Sequence, residues 1–328
     1  MTSPPSAQDP IRPFDAIMLS VGDGHWIYAE EVGTPDGTPI LFLHGGPGSG
    51  AQHSHRALFD PARHHAILID QRGAGRSHPY LSTKANTTQH LIADIERLRD
   101  YFGFDRWMIV GGSWGSTLAL AYAQAFPERV TGLVLRAIFL GTDAEVRWAF
   151  VEGPRRFRPD LYDGFISFLP PDERHDPIAA YVARLNSSDP AVFTPAAHVW
   201  NAYERALSTL TASLTKLPAS FDGGHRVPPT AIFEAHYIKN HFFLEPGVLL
   251  GLADRLAGIP GRIVQGRYDL LCPPETAAAL AEAWGPNCHL RIIDNAGHAM
   301  DEPGVEAAMR AAIADLRAFS DEVAPGSS

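Results

Sequence analysis

The sequence predicts an α/β fold: a mostly parallel, doubly wound sheet with an inserted, mainly helical cap. Three observations carry this. Short apolar runs alternate with helical stretches over most of the chain. A glycine-rich turn, Gly111-Gly112-Ser113-Trp114-Gly115, stands between a strand pattern and a helix pattern. The alternation breaks off near Gly141 and resumes after Pro246, with proline-rich turns and many aromatics between.

The elements follow in order. Phe14 to Val32 reads as a hairpin, with Gly22-Asp23-Gly24 as its turn. Ile40–Leu43, Ala66–Ile69, Trp107–Val110 and Leu133–Leu135 read as buried strands. Thr88 to Phe102 is a helix, because Leu91, Ile92, Ile95, Leu98 and Phe102 recur on one face. Thr117 to Phe126 is another, stopped by Pro127. Ala196 to Leu210 is a helix of the cap. Arg262–Val264 and Leu290–Ile293 are late strands, with helices over Glu275–Trp284 and Gly304–Phe319. The expected organisation is a core of residues 14–140 and 247–320, a cap of 141–246, and polar tails at 1–13 and 321–328 that are disordered and flexible.

The 328 residues are 45% hydrophobic and 20% charged, an ordinary balance for a chain that buries a sizeable core. The net charge of -10 gives no basic face for a nucleic acid. No apolar run approaches a membrane span. Two cysteines, Cys272 and Cys288, are too few for a disulfide framework, and no leader pattern precedes them, so a cytoplasmic location is expected. His53-Ser54-His55 and His64-His65 lack carboxylates or thiols at ligand spacing and read as surface residues, so no metal is expected. Gly73-Ala74-Gly75-Arg76-Ser77 lacks the ending of a phosphate-binding loop. No cofactor is expected. Oligomeric state is not legible.

The chemistry centres on Ser113. G-x-S-x-G between a strand and a helix is the nucleophile elbow of the α/β-hydrolase fold. The turn tolerates only small neighbours, which Gly111, Gly112 and Gly115 provide, and the helix start offers N–H groups to a developing negative charge. The fold requires the order Ser, acid, His. Asp269 in Gly266-Arg267-Tyr268-Asp269 follows one late strand, and His298 in Asn295-Ala296-Gly297-His298 follows the next. Asp254 and the near neighbours Asp294 and Asp301 are the rival acids, and the last two lie too close to His298 for the expected order. His44-Gly45-Gly46-Pro47-Gly48 follows an early strand, so the N–H of Gly46, or else of Gly45, is expected to join that of Trp114 in an oxyanion hole.

These residues, with Asp70-Gln71-Arg72-Gly73-Ala74-Gly75-Arg76-Ser77, Asn86-Thr87-Thr88 and Ser116-Thr117-Leu118-Ala119-Leu120, resemble the prolyl iminopeptidases, serine aminopeptidases of the α/β-hydrolase superfamily. The resemblance runs from about Phe14 to Phe319. It implies metal-free release of an unblocked N-terminal residue, typically proline, from a small peptide or amino-acid amide. It implies that Glu204 in Trp200-Asn201-Ala202-Tyr203-Glu204 and Glu234 in Glu234-Ala235-His236-Tyr237 hold the substrate's charged amino group. It makes Phe139 and Cys272 part of the pocket for the proline ring. Phe150 stands where the family commonly has Tyr, Ile238 where it has Phe, and Tyr203 where it has a second Trp. The stretch Thr211 to Pro229 departs from the family pattern. The alternatives are an amidase or small-acyl esterase without proline preference, and a non-catalytic receptor on the same scaffold.

Overall fold

The computed structural model describes residues 11–211, 217 and 226–323, and side chains only to residue 317. Most of the atypical stretch 211–229, and residues 1–10 and 324–328 of the expected tails, lie outside them.

The strands are β1 (Asp15–Gly22), β2 (His25–Gly33), β3 (Thr38–Leu43), β4 (His64–Asp70), β5 (Trp107–Ser113), β6 (Val130–Ile138), β7 (Gly261–Gly266) and β8 (Cys288–Ile293). They form one eight-stranded sheet in the order β1-β2-β4-β3-β5-β6-β7-β8. The hairpin β1–β2 is antiparallel and joins β4 antiparallel, while β3 to β8 run parallel. Both faces are covered, as parallel strands require. Helices α1 (Thr88–Tyr101), α2 (Trp114–Ala125) and α10 (Pro274–Trp284) belong to the face of Leu41, Ile109, Leu135 and Ile263. Helix α11 (Val305–Val323) packs Val305, Met309 and Ile313 against Ile40, Val110, Val134 and Val264 on the other.

Between β6 and β7 come α3 (Asp143–Arg147), α4 (Gly153–Phe157), α5 (Pro159–Ser167), α6 (Pro177–Leu185), α7 (Pro190–Leu207), α8 (Pro229–Lys239) and α9 (Val248–Gly251). Their interior is aromatic: Phe165 stacks on Tyr181 at 4.2 Å and on Tyr203 at 4.1 Å, and Phe150 stacks on Trp200 at 4.2 Å. α9 already packs on the core, where Gln124 Nε2 donates to Leu249 O at 2.7 Å. No helix among the described residues is long and apolar enough to cross a membrane.

Four expectations shift. α2 begins at Trp114 rather than Thr117, because Ser113 ends the strand and starts the helix with nothing between. α7 spans 190–207 rather than 196–210. Asp189 caps it, Pro190 suits its first position, and the chain turns away at Ser208. α11 runs to Val323, into the expected tail, since Pro325 is the first helix breaker after it. At the other end, Ile11 is already tied down, its carbonyl accepting from Arg56 Nη1 at 3.3 Å.

Candidate active site

The elbow is built by close approach. A Cβ on Gly111 would sit 2.4 Å from Gly115 O, and one on Gly115 only 2.2 Å from Leu43 O. Ser113 itself holds φ 56° and ψ -126°, a main-chain conformation that a residue with a Cβ adopts only where its surroundings impose it. Its hydroxyl lies beside the Cys272 thiol, whose burial pushes its pKa well up.

Asp269 and His298 come together as the order of strands requires. His298 Nδ1 lies 3.0 Å from both Asp269 carboxylate oxygens. The acid is held by three further donors: the N–H groups of Leu271 at 3.1 Å and Cys272 at 2.9 Å, and Gln265 Nε2 at 3.2 Å. Four donors on one buried carboxylate satisfy its lone pairs and fix its direction. The two loops meet at glycine, since a Cβ on Gly266 would be 2.1 Å from Gly297 O. Arg136, paired with Gly112 in the sheet, donates to His298 O and so ties the histidine loop to the elbow. Of the rival acids, Asp294 is committed to Arg267 at 2.6 Å, and Asp254 and Asp301 are exposed.

The Gly45–Gly46 turn lies against the elbow, where a Cβ on Gly45 would be 3.4 Å from Ser113 Cβ. Gly45 O accepts from Ser49 Oγ at 2.8 Å and from His44 Nδ1 at 2.9 Å. Fixing that carbonyl fixes the whole peptide plane, so the Gly46 N–H is aimed the opposite way. Gln71, to which no sequence motif assigns a role, joins the two halves of the site. Its Nε2 donates to His44 O at 2.9 Å and its Oε1 accepts from Trp114 Nε1 at 2.8 Å. Its own N–H donates to His44 Nε2 at 3.0 Å. The rest of that motif is structural: Asp70 pairs with Arg76 at 2.7 Å and Arg72 with Asp94 at 2.6 Å.

A pocket opens at Ser113. Phe139, Phe150, Ile238 and Cys272 line it, together with Gly46 and both Glu204 and Glu234. Phe150 reaches it from a π-helical turn, Trp148–Glu152. Glu234 accepts from Trp200 Nε1 at 2.5 Å. Burial raises the pKa of both glutamates, and Glu234 is pushed well up by burial and then by the neighbouring Glu204 charge. An anionic pair at the end of an apolar pocket is costly until a cation joins it. Glu204 and Gly46 also border a wider outer cleft.

Two expectations are corrected. Tyr203 does not line the pocket; it is fully buried behind it, and its hydroxyl donates to Phe150 O at 3.2 Å. His64 and His65 are buried, not superficial. His65 Nε2 pairs with Glu31 at 2.6 Å, and His64 Nδ1 accepts from the Asp60 N–H at 3.0 Å. Four wall residues escaped the sequence analysis: Val146, Ala149, Leu271 and Phe242. Phe242 is the least expected. It follows Asn240 and His241 with no glycine to mark the turn. His241, Phe242 and Phe243 all hold positive φ, at a cost of about 1–2 kcal/mol per residue.

The profile of the α/β hydrolase fold family matches residues 38–301. A proline iminopeptidase of Xylella fastidiosa (strain Temecula1) is 46% identical over 299 residues, 89% of this chain and 93% of the relative. One from Arabidopsis thaliana is 40% identical over 94% of this chain and 82% of its own length. Among solved structures, a proline iminopeptidase-related protein from Thermus thermophilus superposes with a TM-score of 0.55 at 20% identity, over 96% of this chain and 98% of the other. An esterase from Exiguobacterium antarcticum gives 0.56 at 17%, over 92% and 98%. At these identities the two structures speak for the fold alone.

Proposed function

The chain belongs to the proline iminopeptidase family, and from that premise we propose that it is a serine aminopeptidase releasing an unblocked N-terminal residue, with proline preferred. One observation carries the proposal. Glu204 and Glu234 converge on the apolar pocket that also holds Ser113. Two carboxylates and a nucleophile sharing one pocket suit a substrate with a free amino group close to its scissile carbonyl.

In this reading Ser113 Oγ attacks the carbonyl carbon and His298 Nε2 takes its proton, while Asp269 orients the ring and stabilises the imidazolium. The N–H groups of Gly46 and Trp114 receive the oxyanion. His298 then protonates the leaving amine, which departs through the outer cleft. Water, deprotonated by His298, attacks the prolyl ester and regenerates Ser113. Phe139, Phe150, Ile238 and Cys272 wall the pyrrolidine ring, and the ammonium offsets one carboxylate charge of the glutamate pair. Residues 141–246 act as the cap that carries both glutamates over a core of 14–140 and 247–320. Small peptides or amino-acid amides are the substrates. A cytoplasmic location fits two free thiols.

The test is a panel of proline, alanine and leucine naphthylamides beside an N-blocked proline analogue. Cleavage of the free proline compound with silence on the blocked one is expected. Equal turnover of the two defeats recognition of the amino group.

A further inference from the structure

Three consecutive residues other than glycine, His241, Phe242 and Phe243, hold φ of 48°, 55° and 52°. Left-handed backbone is disfavoured for any residue with a Cβ and persists where its surroundings over-determine it. Here they do so from the start of α1, within the Asn86-Thr87-Thr88 motif that the catalytic reading leaves unused. Thr88 Oγ1 donates to Phe242 O at 2.5 Å, and Gln89 Nε2 donates to Phe243 O at 2.6 Å. His241 faces Asp143 at 3.0 Å.

The turn places one ring in the pocket. Phe242 lines the same cavity as Ser113 and is 2% exposed. Its ring meets Phe139 edge-on at 5.0 Å and lies 6.0 Å from Trp114. Gly141 lies alongside, where an added Cβ would touch Phe242 at 3.4 Å. A side chain on ordinary backbone yields to a larger ligand by changing rotamer. This one stands on a main chain hydrogen-bonded to the core, with Phe139, Trp114 and Gly141 closing its other sides.

We infer that Phe242 is a specificity-determining residue: its ring, held by the Thr88-anchored left-handed turn, limits the N-terminal side chain to about the size of a proline ring. The inference rests on the aminopeptidase reading and deepens it. A leucine or phenylalanine side chain has to displace a ring whose backbone cannot follow. A single methylene in an apolar pocket changes specificity by about 10- to 200-fold.

The experiment compares kcat/KM for proline, leucine and phenylalanine naphthylamides in wild type, Phe242→Ala, Phe242→Gly, Phe242→Leu and Thr88→Val. Fluorophosphonate labelling and melting temperature report that each variant is folded. Phe242→Ala and Phe242→Gly are expected to raise the leucine-to-proline ratio alike, by about tenfold or more. Phe242→Leu gives a smaller rise. Thr88→Val raises the ratio through a higher KM for proline. The alanine and glycine variants separate ring from turn, because glycine relieves the left-handed strain and alanine does not. A shift in alanine alone overturns the inference, and so does an unmoved ratio in labelled variants. A wild type that cleaves none of the free-amino substrates defeats the aminopeptidase reading itself. A wild type that cleaves them, with ratios unmoved in the variants, defeats only the role of Phe242.

Discussion

Ser208 O accepts the N–H groups of both His298, at 3.0 Å, and Ala299, at 2.9 Å. Ser208 stands one residue past the end of α7, four residues after Glu204. The helix that carries one pocket carboxylate therefore also holds the histidine loop. Leu210 N adds a bond to Glu302 Oε1 at 2.6 Å. In the proposed mechanism, recognition and proton transfer share this one joint.

Ser113→Ala is expected to abolish fluorophosphonate labelling and turnover, and His298→Ala to be comparably damaging, because the two act as a unit. Asp269→Asn should bind substrate but lose about a thousandfold or more in kcat. Steady-state kinetics on proline naphthylamide measure this. Near-normal turnover in the Asp269 variant assigns the acid elsewhere.

Glu234→Gln should lose activity yet gain stability. The folded-state pKa of Glu234 is raised, so its contribution to stability is complete below the unfolded value near 4.5 and is lost as pH rises through the folded one. Glutamine preserves an acceptor for Trp200 and removes that pH-dependent loss. Melting temperature should therefore exceed wild type at pH 7 to 8, and the difference should vanish below about pH 4.5. A lower melting temperature at pH 8 argues against a strained carboxylate pair.

Gln71→Leu should lower kcat by about 10- to 100-fold with KM little changed, since an oxyanion donor acts in the transition state. Leucine fills the space but releases both His44 O and Trp114 Nε1. Stopped-flow acylation rates separate this from a folding defect. A change confined to KM contradicts the brace.

Acid should destabilise the fold below about pH 6.5. Burial lowers the pKa of His44, His55 and His64, to about 4 for His55. Each ring accepts a backbone N–H, from Gln71, Gln52 and Asp60 respectively, and protonation destroys that acceptor. The folded values lie below the unfolded one, so the stabilisation is complete above pH 6.5 and is lost as pH falls toward 4. Melting temperature against pH shows the slope, and His55→Gln should flatten it. A flat profile between pH 7 and 5 in Glu234→Gln, where the opposing carboxylate contribution is gone, contradicts this.

The sheet, the strand-to-helix turn at Ser113 and the pairing of Asp269 with His298 were legible because each rests on local pattern plus chain order. Glycines at 111, 115 and 266 mark approaches too close for any Cβ. What was not legible depends on which way a side chain faces after packing. Tyr203 and Glu204 are adjacent on α7, yet one turns into the aromatic interior and the other to the pocket. His64 and His65 are polar letters on β4, a strand buried along its whole length. Phe242 adopts a glycine-like turn without glycine, so its sequence carries no turn signal. Gln71 acts through three hydrogen bonds to residues 27 and 43 positions away, which no spacing rule reports.

In the proposed function the glutamate pair reads a free amino group beside the scissile bond. The most direct measurement is the ratio of kcat/KM for free over N-acetylated proline naphthylamide, in wild type and in the Glu204→Gln/Glu234→Gln double variant. A wild-type ratio of about a hundred or more is expected, collapsing toward one in the variant while labelling of Ser113 persists. A ratio near one in wild type, or a ratio that survives the double substitution, contradicts it.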